Sequence, residues 1–294
     1  MQKKRFYYNT FDIINTMFLV VLSFICFYPF WMVVIASFNE GKDFMRGGVY
    51  WWPRVFSLNN YIFAFKDNRL IIGLRISVAR TIIGTFASVF FTSVVAYGMS
   101  LRNLKYKNIT FYINLITIFF GGGLIPYFLL IKQLQLINTF WVYILPSLYS
   151  VFNMIIISNF FRDVPLELHE SAMIDGMSEF NIFLRVYLPL SKPALATVAL
   201  WVAVGHWNSY FDSMLFTTKP ELQTLQLFLY KLIKESAAAQ EYAQQAFSQE
   251  LIETISYSTI RYATMVIATV PILCVYPFVQ RYFAKGIMLG SLKG

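Results

Sequence analysis

The groups that could do chemistry in this chain are few, and their spacing argues against most catalysis. There are two histidines, His169 and His206, and two cysteines, Cys26 and Cys274. Neither pair has a metal-ligand spacing. Both cysteines lie inside apolar runs, where a thiol acts as a small apolar side chain. No G-x-x-x-x-G-K-[ST] loop is present to cradle nucleotide phosphates. Two polar constellations remain. The stretch ELHESAMIDGMSEFNIFLRVYLPLSKP at 167–193 carries four of the fifteen acidic residues, with Asp163 just upstream. The stretch GHWNSYFD at 205–212 places His206, Trp207, Asn208, Tyr210 and Asp212 in or near an apolar run. Tyr127, Asn153, Arg75 and Arg80 lie inside other such runs. A polar side chain at membrane depth is a functional hypothesis by default. The structural alternative makes Trp207 and Tyr210 interfacial anchors and Asn208 an interhelical hydrogen bond. Arg75 and Arg80 would then snorkel or pair with acidic groups.

The elements that must position these groups follow from composition. The chain has 294 residues, 57% of them hydrophobic and 13% charged, with a mean hydropathy of +0.56. Soluble domains carry about twice that charged share. The net charge of +9 is spread over the short segments between apolar runs, without a basic stripe or a nucleic-acid motif. Six runs reach the ~20 residues that a helix needs to cross a bilayer: 11–38, 70–99, 109–131, 140–161, 193–216 and 258–283. Unpaired backbone is too costly in lipid, so each is expected to be helical. The runs are too long and too continuously apolar for barrel strands. Pro29, Pro126, Pro146, Pro271 and the triplet Gly121-Gly122-Gly123 are expected kink sites. The first run is too long for a cleaved signal peptide and is expected to stay as an anchor, with Lys3, Lys4 and Arg5 in the cytoplasm. Six crossings then return the C-terminus to the cytoplasm, and Arg102, Lys105 and Lys107 in the 100–107 turn agree with that orientation. Residues 162–192 fall on the cytoplasmic side as well. The outer side receives 39–69 and 217–257, and 284–294 forms a cytoplasmic tail.

Between spans four and five the pattern predicts two short helices. Pro165 suits a first helical position, Gly176 a stop with positive φ, and Ser178 a cap with Glu179 just inside it. Leu166, Met173, Met177, Phe180 and Leu184 form an apolar stripe expected to pack on the chain's own helix ends. Amphipathic helices that lie on lipid usually carry Lys and Arg on the polar face. Here that face is acidic, beside a leaflet whose anionic lipids would repel it, so a protein partner fits better.

Glu170-Ser171-Ala172, Gly176 and Val186-Tyr187-Leu188-Pro189 resemble the "EAA" signature of permease subunits of bacterial ATP-binding-cassette importers. Its order is Glu-Ala-Ala, three residues, Gly, nine residues, Ile-x-Leu-Pro. The spacing matches in full, with Ser171 for Ala and Val186 for Ile. FSLNNY (56–61), AYGMS (96–100), GGLIP (122–126), GHWNSYF (205–211) and KGIMLGSLKG (285–294) resemble the carbohydrate-uptake branch, specifically the smaller, maltose-type second permease. The resemblance is weakest at the Ala/Gln-rich piece 235–256.

The resemblance implies an all-α membrane protein: a single permease domain with six transmembrane helices of the type I importer fold and a cytoplasmic coupling loop. It implies half of a pore, paired with a second permease and served by an extracytoplasmic solute-binding protein. Two cytoplasmic ATPase subunits would hold ATP and Mg²⁺, with no cofactor or metal on this chain. Carried over by position, Glu170 and Ser171 dock the ATPase and Ala172 permits close approach. Asp175 and Gly176 set the turn, and Leu188-Pro189 fix the exit into span five. An oligosaccharide passing between alternating gates needs hydrogen-bonding groups and aromatic faces, which Tyr127, Asn153, His206, Trp207, Asn208, Tyr210 and Asp212 would supply. Arg75 and Arg80 would favour an acidic sugar. The alternatives are a permease of the same superfamily for an amino acid or peptide, and a multispan membrane enzyme. The second would require a carboxylate or histidine constellation near one membrane face, which the sequence does not show.

Overall fold

A computed structural model describes residues 10–234 and 257–290. The Ala/Gln-rich piece at 235–256, the basic residues Lys3, Lys4 and Arg5, and 291–294 lie outside the described residues. The described chain is helical without a strand; Asn39 and Phe56 form an isolated bridge. In order the helices are α1 (Thr10–Phe38), α2 (Gly41–Met45), α3 (Asn59–Lys66), α4 (Asn68–Ser100), α5 (Lys107–Phe119), α6 (Leu124–Gln133) and α7 (Val151–Arg162). They continue as α8 (Leu166–Ile174), α9 (Glu179–Ile182), α10 (Leu188–Leu190), α11 (Lys192–Asn208), α12 (Phe211–Phe216), α13 (Leu225–Lys234) and α14 (Tyr257–Gly290).

Among the described residues, three helices are long and apolar enough to cross a bilayer alone: Thr10–Phe38, Asn68–Ser100 and Ser258–Val275. Three bent pairs raise the number of possible crossings to six. The run expected at 109–131 is broken between α5 and α6 by 115°, at the Gly121-Gly122-Gly123 triplet. The run expected at 140–161 begins as two 3₁₀ turns, Phe140–Tyr143 and Leu145–Ser147, and bends by 52° into α7. Ser150 caps α7 by accepting from the Asn153 amide, 3.4 Å. The run expected at 193–216 stops at Asn208 and restarts as α12, because Ser209 takes an extended backbone (ψ 125°). Pro29 and Pro271, expected kink sites, lie within continuous helices. The last helix extends past 283 to Gly290, into the stretch expected as tail.

The chain divides into two compact units, one from the chain up to Asp67 with Lys231–Thr269, the other from Asn68–Tyr230 with the chain from Val270. In the first, the large apolar side chains of α1 from Phe11 to Phe30 are exposed, as suits a lipid-facing helix. Its far end is tied down by polar bonds. The buried Asn60 amide donates to Ser37 O (2.9 Å) and Asn39 O (2.8 Å), while its oxygen accepts from Thr259 Oγ1 (2.8 Å). Nearby, the hydrogen bond from Asn39 and the charge of Arg54 hold the Asp43 carboxyl below its usual value.

The second unit is built around α4. In lipid, helices associate through close packing and hydrogen bonds rather than water exclusion, so small residues mark the contact face. Gly73, Ser77, Arg80, Gly84, Ser88 and Thr92 are buried along one side of α4 at helical spacing. Gly84 is needed for space. A Cβ there would meet the His206 ring of α11 at 2.5–2.9 Å. The α4 face also meets α7, and at the Ser100 end Ala96, Tyr97 and Met99 pack with Met154, Ile157 and Phe161.

Candidate functional site

The segment between α7 and α11 folds as two helices and a turn. Pro165 precedes α8. Gly176 ends it at φ +78°, where any L-residue would be strained. Its amide and that of Met177 bond back to Met173 O and Ala172 O, both at 3.0 Å. Ser178 Oγ accepts from the Asn181 amide (3.4 Å) and caps α9. Phe183–Tyr187 then form a π-turn, a feature often found at functional sites. Leu188 is half-buried and Pro189 exposed at the start of α10.

Side-chain placement corrects two expectations. Of the expected stripe, Met177 packs against the core and the Phe180 ring meets the buried Phe183 at 6.0 Å, but Leu166, Met173, Phe180 and Leu184 remain largely exposed. Conversely Ala172, expected to face a partner, is only 4% exposed and sits in the core with Tyr97, Ile182 and Phe183. The reason is geometric. His169 and Ala172, one turn apart, are the buried positions of α8, and the small Ala side chain lets the helix approach the core. The outward surface is therefore mixed: Glu167, Glu170, Ser171 and Asp175 beside Ile174, which is 86% exposed.

Behind this surface runs a polar chain that sequence reasoning missed. Glu179, expected only as a first-turn acid, accepts a hydrogen bond from Tyr97 Oη of α4. Its other oxygen lies 3.6 Å from His169 Nε2 on α8. His169 Nδ1 is 3.4 Å from Tyr187 Oη in the π-turn, and the Tyr97 and Tyr187 rings meet edge-on at 4.9 Å. The signal in the sequence was a Tyr in AYGMS and a Glu after a cap, far apart in the chain and without a spacing rule to join them. Alongside, a cleft of about 1160 Å³ is lined by Arg102, Lys105, Lys107, Arg162 and Glu170. Two of those cations cap the end of α4. Lys107 Nζ donates to Leu101 O (2.7 Å) and an Arg162 nitrogen to Met99 O (3.3 Å), where a helix C-terminus favours positive charge.

The polar residues expected along a substrate path separate into three groups. Arg80, 2% exposed, forms a bidentate pair with Asp212 at 3.1 and 2.5 Å. Ser209 Oγ and the Ser213 amide donate to the same carboxylate at 2.9 and 2.8 Å, which explains the break between α11 and α12. The guanidinium lies 4.4 Å from the Tyr143 ring centre, and Tyr143 Oη donates to Leu222 O (2.6 Å). Asp212 is thus held in an ion pair in the described chain, and its charge balances that of Arg80. His206 and Trp207 are buried, His206 against Gly84. Asn153 is also buried on α7. Asn208, Tyr210 and Tyr127 are exposed; Tyr210 stacks on Tyr230 at 4.7 Å and Tyr127 meets Phe216 edge-on at 5.7 Å. Arg75 is exposed on α4 and makes no hydrogen bond or ion pair with another described residue.

Comparison with known proteins gives relatives of the chain as a whole. The model of the family described as binding-protein-dependent transport system inner membrane component matches residues 1–289. Protein LplC of Bacillus subtilis (strain 168) is 38% identical, covering 97% of this chain and 96% of its own. The polygalacturonan/rhamnogalacturonan transport system permease protein YtcP of the same organism is 38% identical, covering 97% of this chain and 98% of its own. Among solved structures, a chain of a bacterial ABC transporter involved in the import of the acidic polysaccharide alginate superposes with a TM-score of 0.89 at 28% identity, covering 95% of this chain and 100% of that one.

Proposed function

The chain belongs to the family of inner-membrane components of binding-protein-dependent transport systems, and from that premise we propose that it imports oligosaccharides. It is a multi-pass, non-catalytic subunit of a type I importer. In this reading it forms half of the pore with a second permease. A solute-binding protein delivers the sugar from outside. Two cytoplasmic ATPases bind ATP and Mg²⁺, and both termini of this chain lie in the cytoplasm with them. The observation that carries the reading is the outward edge of α8, where Glu170, Ser171 and Asp175 stand exposed beside Ile174. A projecting acidic and apolar edge suits insertion into a cleft on a protein partner better than contact with anionic lipid. The buried side of the segment joins α4, so motion of the docked edge reaches a spanning helix. Co-purification of the ATPase, followed by its stimulation with oligosaccharide and binding protein, tests the reading.

A sugar bearing carboxylates is favoured by Arg75. With Arg80 neutralised by Asp212, Arg75 is the cation of α4 that keeps no partner among the described residues. An unpaired cation within a spanning helix is costly unless it meets an anion or reaches water. The relatives named for polygalacturonan and alginate handle acidic polymers. Hydrolysis stimulated by oligogalacturonides but not by neutral oligosaccharides of equal length supports this assignment, and the reverse preference contradicts it.

A further inference from the structure

We propose that Glu179 is a positioning residue: it fixes the ATPase-facing helix α8 to the spanning helix α4, so that the two move as one body. The inference rests on the importer reading, since it explains how a docked element drives a span.

An acid at the first turn of a short exposed helix ordinarily serves that helix alone. Glu179 instead turns both oxygens toward other elements. One accepts from Tyr97 Oη of α4, the other faces His169 Nε2 of α8 at 3.6 Å. The ring of His169 continues to Tyr187 Oη at 3.4 Å. Four elements therefore meet at one carboxylate and its neighbour: α4, α8, α9 and the π-turn before span five. Three of the four side chains, Tyr97, His169 and Tyr187, are buried. The Glu179 side chain itself is 53% exposed; a hydrogen bond to a carboxylate is still stronger than a neutral one, and it is directional where the surrounding aromatic packing is not. Beside it, α8 and α4 share the apolar cluster that holds Ala172 and Tyr97.

The balance of transport against hydrolysis is the readout. The full complex, with its second permease, ATPases and binding protein, is reconstituted in proteoliposomes, and sugar taken up per ATP hydrolysed is measured. Tyr97→Phe keeps the ring packing and removes the donor; Glu179→Ala removes the acceptor; Glu179→Gln keeps an acceptor for Tyr97. For Tyr97→Phe and Glu179→Ala the uptake per ATP is expected to fall about fivefold or more, the low end of typical coupling effects, while the complex still assembles and hydrolyses ATP. Glu179→Gln is expected to recover part of the loss. An unchanged ratio in Tyr97→Phe and Glu179→Ala overturns the proposal. So does a parallel fall in hydrolysis and uptake with loss of assembled complex, which marks a purely structural role. If the wild-type complex shows no sugar-dependent activity, the importer reading fails instead.

Discussion

Arg80 of α4 and Asp212, just past the end of α11, form a bidentate ion pair at 3.1 and 2.5 Å that pins the break between α11 and α12. Breaking a buried pair by removing one partner costs about 3–5 kcal/mol, because the other charge is left unpaired. Arg80 is the more deeply buried partner, its side chain 2% exposed against 25% for Asp212. Asp212→Ala, which strands the guanidinium, is therefore expected to lower the thermal stability of the purified complex strongly. The double variant Arg80→Met/Asp212→Ala is expected to be less unstable than Asp212→Ala alone. Equal or greater loss in the double variant would show that the pair is not the source of the effect.

Gly84 and His206 test the close crossing of α4 and α11. Gly84→Ala places a methyl against the imidazole, and overpacking of this kind costs about 1–3 kcal/mol. A second change, His206→Ala, is expected to restore much of the lost stability. Thermal unfolding of the two variants in detergent checks this, and an absence of rescue argues against the direct contact.

On the segment between α7 and α11, the proposed docking role and the folding role are expected to separate by residue. Glu170→Ala is expected to reduce ATPase co-purification while leaving the permease pair folded. Ala172→Leu, which enlarges a side chain that is 4% exposed, is expected to act through stability. Gly176→Ala forces an alanine into φ +78° and costs about 1–2 kcal/mol. Pull-down yields set beside melting curves distinguish the two classes; loss of docking without loss of stability in Ala172→Leu would reverse the assignment.

Two of the polar side chains near the end of α11 are expected to respond differently. Trp207 is buried, and its truncation to Ala is expected to cost about 3 kcal/mol or more. Asn208 is exposed, and Asn208→Ala is expected to change uptake with the complex intact. Binding-protein-dependent uptake by each variant, normalised to assembled complex, decides between them.

Much of the architecture was legible from apolar run length, since lipid allows few alternatives to a helix. The breaks were legible only in part. Gly121-Gly122-Gly123 marked one, but the end of α11 is set by Asp212 gathering Ser209, Ser213 and Arg80. Of these, Arg80 lies 132 positions away. The capping logic around Gly176 and Ser178 could be read from local sequence, because backbone conformation there depends on neighbouring residues. Which face of α8 is buried could not, since Ala172 and His169 gain their surroundings from α4 and the π-turn. The same long separation hid the Tyr97–Glu179 bond. Arg75 and Arg80 looked alike in sequence, and the burial of Arg80 against Tyr143 and Asp212 distinguishes them.

The most direct test of the central claim is uptake by proteoliposomes holding the wild-type complex, with labelled oligosaccharide, amino acid or peptide offered through the binding protein. ATP-dependent accumulation of the oligosaccharide, abolished when the binding protein is omitted, is the expected result. Accumulation of the amino acid or peptide in its place, or oligosaccharide uptake that needs neither ATP nor the binding protein, would contradict it.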